Sequence, residues 1–172
     1  MFDIATGHTI GQLKMAGEAD QTTGIIIVDH GSRLDQSNRM LEELTAQFAK
    51  RFAQRYAIVE PAHMELAEPT IATAFGRCVE RGARRVVVCP YFLGPGKHWT
   101  QDIPRLTAEA AAKFPGVPFN VAPTLGIDDL ILELLDKRIR QCVEEGDGMQ
   151  DGDSLAAALA RRGGTAPRKR GR

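Results

Sequence analysis

Two histidines and two glutamates in this sequence have the types and spacing that a divalent metal would use. His30 sits in Asp29-His30-Gly31-Ser32-Arg33, and Glu65 and Glu68 in His63-Met64-Glu65-Leu66-Ala67-Glu68-Pro69. His98 closes the run Pro90-Tyr91-Phe92-Leu93-Gly94-Pro95-Gly96-Lys97-His98. A neutral imidazole is a good ligand for first-row divalent metals, and a carboxylate completes such sites. Two histidines and a carboxylate with open positions suit transient holding better than storage, which calls for four tight donors. Ser32, Arg33 and Lys97 stand beside the histidines and supply hydroxyl and cationic donors for an anionic ligand. Gly94 and Gly96 let the main chain approach such a ligand and offer it N–H groups. Their spacing is neither GxGxxG nor that of a P-loop.

Each of these residues also has a plainer reading. His30 can cap the helix that follows it, and His98 can be a solvated loop residue. Glu65 and Glu68 can be first-turn carboxylates that complement a helix dipole. His63, two residues before Glu65, should share its face, either as an orienting partner or as a buried, satisfied histidine. His8 is assigned no role.

The elements that must position these residues follow from the apolar pattern. Gly24 to Asp29 is a short β-branched run that fits a strand buried on both faces. Met40, Leu41, Leu44, Phe48 and Phe52 recur at helical spacing within a segment from Leu34 to Arg55. Ala57 to Met64 reads as a strand, with Pro61 marking a bend or an edge position. Glu68-Pro69 opens a second helix, with the proline in a tolerated first-turn position, and Gly82 closes it. Arg85 to Phe92 is a third strand, about Thr100 to Phe114 a helix, Val117 to Ala122 a fourth strand and Asp128 to Val143 a fourth helix. The order βαβαβαβα with short loops predicts one α/β domain, a parallel sheet covered on both faces, over residues 23–145. Ligands of such sheets bind beyond the carboxyl ends of the strands. His30, Glu65, Glu68 and His98 all fall there. Residues 1–22 read as a loose leader and 146–172 as a mobile extension.

Bulk composition excludes several classes. The 172 residues carry 22 basic and 22 acidic side chains, so the basic excess of a nucleic-acid partner is missing. The Arg168-Lys169-Arg170-Arg172 cluster lies on the tail and reads as solvated. No apolar run suits a membrane span, and the start lacks a secretory pattern. Three cysteines with no CxxC pair fit buried thiols in a reducing, cytoplasmic setting.

The segments DHGSR at 29–33, ELAEPTI at 65–71, PYFLGPGKH at 90–98 and DIP at 102–104 resemble the short class II chelatases, the sirohydrochlorin cobaltochelatase and ferrochelatase family. Order and spacing agree over about residues 24–143. The resemblance implies a flavodoxin-like, chelatase-like fold. It implies insertion of Co²⁺ or Fe²⁺ into sirohydrochlorin, for cobalamin or siroheme, with the metal as substrate and no tightly bound cofactor. His30 and His98 then occupy the positions of the family's metal-binding and proton-accepting histidines. Chains of this length resemble half of a two-domain chelatase and are expected to pair as homodimers. The apolar residues Leu130, Ile131, Leu134, Leu135 and Ile139 of the last helix are the candidate contact. The sequence departs from the family at His63, where an apolar residue is usual.

Metal insertion requires the macrocycle to lose two pyrrole N–H protons while the metal changes ligands. Histidine is the natural acceptor near neutral pH. On this reading His30 and His98 hold the metal over one face of the ring and accept protons. Glu65 or Glu68 completes the metal site or orients a histidine. Arg33, Lys97, Ser32 and the N–H groups of Gly94–Gly96 meet the ring's carboxylates. The alternative is a non-catalytic metal- or tetrapyrrole-binding protein with the same ligands and no turnover. A histidine phosphatase, suggested by His30-Gly31, wants an arginine where Asp29 stands.

Overall fold

Residues 21–145 are described by the structure, a computed structural model. The elements are β1 (Thr23–Asp29), α1 (Asp35–Arg51), β2 (Ile58–His63), α2 (Ile71–Glu80), β3 (Arg85–Pro90), a π-helical turn (His98–Asp102), α3 (Ile103–Ala111), β4 (Phe119–Val121) and α4 (Asp129–Glu145). The expected alternation of strand and helix holds throughout. The strands form one parallel sheet in the order β2-β1-β3-β4.

Period-two alternation in β1 builds two cores, one on each face of the sheet. Ile26 and Val28 meet Ile58, Ala62, Val86 and Val88 from the neighbouring strands, with Phe75 and Cys78 of α2 and Ile103 of α3 above them. Ile25 and Ile27 point the other way, onto Val59 and onto Leu41, Leu44 and Phe48 of α1. Met40, expected on that apolar stripe, is exposed instead. β2 is an edge strand, which is where Pro61 is tolerated. α2 lies close enough to β1 that a Cβ on Gly24 would stand 2.8 Å from Cys78 Cβ. Only glycine fits there.

Two helix starts differ from the sequence pattern. α2 does not begin at Pro69. The Glu68–Pro69 peptide is cis, and Thr70 is the N-cap, its hydroxyl accepting from the Thr73 N–H, as threonine does well at that position. The helix expected from Thr100 begins earlier, with the π-helical turn at His98, and α3 ends at Ala111. Phe114 then folds back to stack on Phe75, ring centroids 5.7 Å apart.

The chain divides into two compact units, Met1–Gly126 and Ile127–Arg172. The first holds the sheet and α1 to α3. The second holds α4, which opens with the Asp128 carboxylate accepting from the Leu130 N–H and carries an Asp136–Arg140 pair along one side. The leader expected at 1–22 lies, but for its last two residues, outside the described residues, as does the extension at 146–172. Among the described residues no helix is long and apolar enough to cross a membrane.

Burial, and then the Glu60 carboxylate, push the Cys78 thiol up to about 12, with Arg81 pulling weakly the other way. Burial also raises Cys89, whereas Cys142 is exposed. A raised thiol pKa favours the neutral folded form, so this contribution to stability is present below the ordinary thiol value and is lost as pH rises towards 12. A thiolate-selective reagent added to the native protein should therefore modify Cys142 first and Cys78 only on unfolding. Labelling of Cys78 at the rate of Cys142 would contradict this packing.

Candidate metal site at the carboxyl edge of the sheet

Strand order 2-1-3 means that the chain leaves β1 to one side for β2 and then crosses to the other side for β3. The crevice at such a switch point is where open parallel sheets bind ligands. His30 follows β1, Glu65 follows β2 and His98 lies on the loop after β3, so the central strand delivers its histidine between the other two groups. His30 Nε2 lies 2.9 Å from Glu65 Oε1. The His30 and His98 rings meet edge to face with centroids 5.0 Å apart. His30, Glu65 and His98 are each about half exposed, so a large ligand can reach them.

Local backbone chemistry fixes this arrangement. Gly31 has φ +84°, a left-handed conformation that glycine adopts without strain. A Cβ there would stand 1.9 Å from the Glu65 carbonyl oxygen. The two turns are thus in direct backbone contact, joined by Met64 N–H to Asp29 O at 2.9 Å and Glu65 N–H to His30 O at 3.1 Å. Leu66, just after Glu65, holds the left-handed φ of +67° without being glycine. Strain of this kind tends to gather at functional sites.

Each histidine has an acceptor at Nδ1. His30 Nδ1 faces Gly31 O at 3.1 Å, and His98 Nδ1 faces Asp102 Oδ2 at 3.0 Å. An acceptor at Nδ1 draws the ring proton there and leaves Nε2 as the free lone pair, the tautomer that metal-binding histidines use. His30 Nε2 and Glu65 Oε1 then either share a proton or face a common cation. Among the described residues no three His, Cys, Asp or Glu side chains surround one point. The donors stand near one another as a pair and a neighbour.

The other expected residues divide. Glu68 turns to the start of α2, where its Oε2 accepts from Thr70 N–H at 2.9 Å and from the Thr73 hydroxyl at 3.1 Å. That is a place where the helix dipole favours a carboxylate. Ser32 is clamped to α1, its N–H donating to Asn38 Oδ1 and its carbonyl accepting from Asn38 Nδ2, both at 2.9 Å. Its hydroxyl oxygen accepts from Leu34 N–H at 3.0 Å. Arg33, Gly94, Gly96 and Lys97 are exposed on the loops around the histidines. Gly94 and Gly96 have open space where a Cβ would stand. Their backbone would accept other residues, so neither turn geometry nor packing demands glycine there.

Asp102 and Asp29 have no role that residue type and spacing alone would assign. Asp102 is four residues after His98, a helical spacing that placed it on the same turn. Asp29 is the register partner of His63, and its Oδ1 accepts from Gly31 N–H at 2.9 Å and from His63 Nδ1–H at 2.7 Å. His63 itself was expected on the face of Glu65. β2 ends at His63, so strand alternation stops there, and the ring lies buried while Glu65 reaches the surface.

Residues 24–142 match the CbiX family. The chain is 52% identical over 146 residues to a chloroplastic sirohydrochlorin ferrochelatase of Arabidopsis thaliana, covering 84% of this chain and 63% of that protein. A sirohydrochlorin cobaltochelatase of Methanosarcina barkeri is 30% identical over 129 residues, covering 70% of this chain and 96% of that one. The sirohydrochlorin chelatase SirB from Bacillus subtilis subspecies spizizenii, solved in complex with cobalt, superposes with a TM-score of 0.63 at 29% identity. That match takes in 70% of this chain and 50% of the SirB chain. The chain thus spans less than two thirds of the Arabidopsis protein and half of SirB.

Gly31→Ala should cost at least ~1 kcal/mol from the left-handed backbone alone, and more from the contact with the Glu65 carbonyl. Urea unfolding measures it. An alanine variant as stable as the wild type would show that the two turns are not locked together.

Proposed function

This chain belongs to the CbiX family, and from that premise we propose that it inserts a divalent metal, Co²⁺ or Fe²⁺, into sirohydrochlorin. The observation that carries the reading is the convergence of His30, Glu65 and His98 at the switch point, with both Nδ1 positions occupied by acceptors. In this reading the metal is a substrate. It is held by His30 Nε2, His98 Nε2 and Glu65, in preference to Glu68, which is engaged at the helix start. Imidazole and carboxylate donors accept either metal.

The exchange balances in charge. The ring gives up two pyrrole protons as it takes one M²⁺. The two histidines give up one M²⁺, and each freed Nε2 lone pair takes one proton. The site then carries the same charge before and after, with no oxidant, reductant or nucleotide. Glu65, at 2.9 Å from Nε2, steadies His30, and Asp102 keeps the proton of His98 on Nδ1 so that Nε2 stays free. Arg33, Lys97 and the loop carrying Gly94 and Gly96, all exposed, would meet the ring's carboxylates; Ser32, clamped to α1, retains a hydroxyl proton to donate.

The reading extends to assembly and location. This chain matches half of SirB, and a second copy would supply the other wall that a broad, flat ring needs. A homodimer with α4 in the contact is therefore our assignment. The free thiols Cys78, Cys89 and Cys142 agree with a reducing, cytoplasmic setting.

Absorbance of sirohydrochlorin mixed with Co²⁺ or Fe²⁺ and a trace of protein tests the function. Many turnovers per chain are expected, whereas a halt at one metal per site would favour a carrier. His30→Ala and His98→Ala should each lower the insertion rate about 100-fold or more. Asp102→Asn should raise the metal concentration needed by about 10- to 100-fold. Normal turnover at limiting metal in any of these would remove that residue from the site. Sedimentation at micromolar concentration should give a dimer; a fully active monomer would contradict the assembly.

A further inference from the structure

Asp29 and His63 are register partners at the ends of β1 and β2. They lie one residue before the turn that carries His30 and two before Glu65. His63 is fully buried. Its Nδ1–H donates to Asp29 Oδ1 at 2.7 Å, and the same oxygen accepts the Gly31 N–H at 2.9 Å. Gly31 O in turn faces His30 Nδ1. A continuous chain of bonds therefore runs from the buried ring through Asp29 and Gly31 to the histidine of the site. The His63 side chain also forms the floor of the turn, since a Cβ on Gly31 would lie 3.1 Å from His63 Cβ.

Packing alone does not call for histidine at this position. Its Nε2 is buried with no hydrogen-bond partner among the described residues, and a leucine would fill similar space without desolvating a nitrogen. What a leucine lacks is the donor to Asp29. The Asp29 carboxylate is 23% exposed, so without that bond it has water as an alternative partner and can swing away from Gly31 N–H. We infer that His63 is a positioning residue: its Nδ1–H pins the Asp29 carboxylate and, through it, the turn that aims His30 at Glu65 and His98. The inference rests on the reading of His30 as a metal-holding group.

The test uses the full-length protein with His63→Leu, His63→Asn and His63→Gln. Asparagine places an N–H where Nδ1–H stood, and glutamine places it one atom further out. In metal-free protein, side-chain ¹⁵N correlation spectra should show the His30 ring signals displaced in the leucine and glutamine variants and returned in asparagine. In Co²⁺ insertion, leucine should lose about 10- to 100-fold in turnover or metal affinity. The KM for sirohydrochlorin should be unchanged, and asparagine should recover most of the loss. Unmoved His30 signals in the leucine variant, or equal losses in leucine and asparagine, would overturn the inference. If the leucine variant does not fold, the asparagine–glutamine contrast decides in the same way. The spectra need no turnover. If His30→Ala inserts metal as well as the wild type, the functional reading fails while the spectra still decide the role of His63.

Discussion

Parallel pairing of β1 with β2 on one side and β3 on the other is the constraint on which this site depends. It sends three strand ends to one edge of the sheet. The register sets Asp29 opposite His63 and, one step on, brings the His30 turn against the backbone of Glu65. A register slip of one residue would turn every side chain of β2 to the other face. It would take Val59 off Leu41 and Phe48 and His63 off Asp29, breaking both the core under α1 and the contact beneath His30. The large apolar surfaces on both faces of β1 therefore hold the chemistry in place as much as they hold the fold.

The site combines a rigid base with open donors. Below it, the His63–Asp29–Gly31 bonds and the close backbone contact leave little freedom. Above it, His30, Glu65 and His98 are half exposed, and they do not form a closed cage among the described residues. On the proposed function, a site that hands its metal on must bind it weakly enough to release it, which asks for donors that are oriented but not closed into a cage. The π-helical turn contributes in the same sense. It starts at His98 and is tied down by Trp99 Nε1–H donating to Ala122 O at 3.1 Å. π-Turns within helices are often found at functional positions.

Much of this was legible from residue types and spacing. The β-branched runs, the helical stripe of Leu41, Leu44 and Phe48, and Gly82 after α2 gave the layered architecture, because apolar periodicity reports burial directly. His30, Glu65 and His98 could be placed at one edge because strand ends in a parallel sheet share it. The details that depend on tertiary contact were not legible. Glu68 and Glu65 are three residues apart on one loop, and only the folded chain shows that one turns to Thr70 and Thr73 and the other to His30. Asp29 and His63 are 34 residues apart in sequence, and their bond exists only once the register is set. The π-turn at His98 gives no periodic signal of its own, since the run through Gly94 and Gly96 reads as loop until about Thr100.

The account stands on one geometric claim, that His30, Glu65 and His98 take up a single metal ion together. Anomalous diffraction at the cobalt edge, from crystals of the protein grown with Co²⁺, addresses it directly. The account predicts one peak per chain at the carboxyl edge of the sheet, with Nε2 of both histidines and a Glu65 oxygen at about 2.0–2.2 Å, the range that first-row ions such as zinc keep to these donors. A peak held by Glu68 instead, or one bound to a single histidine with the other turned away, would contradict it.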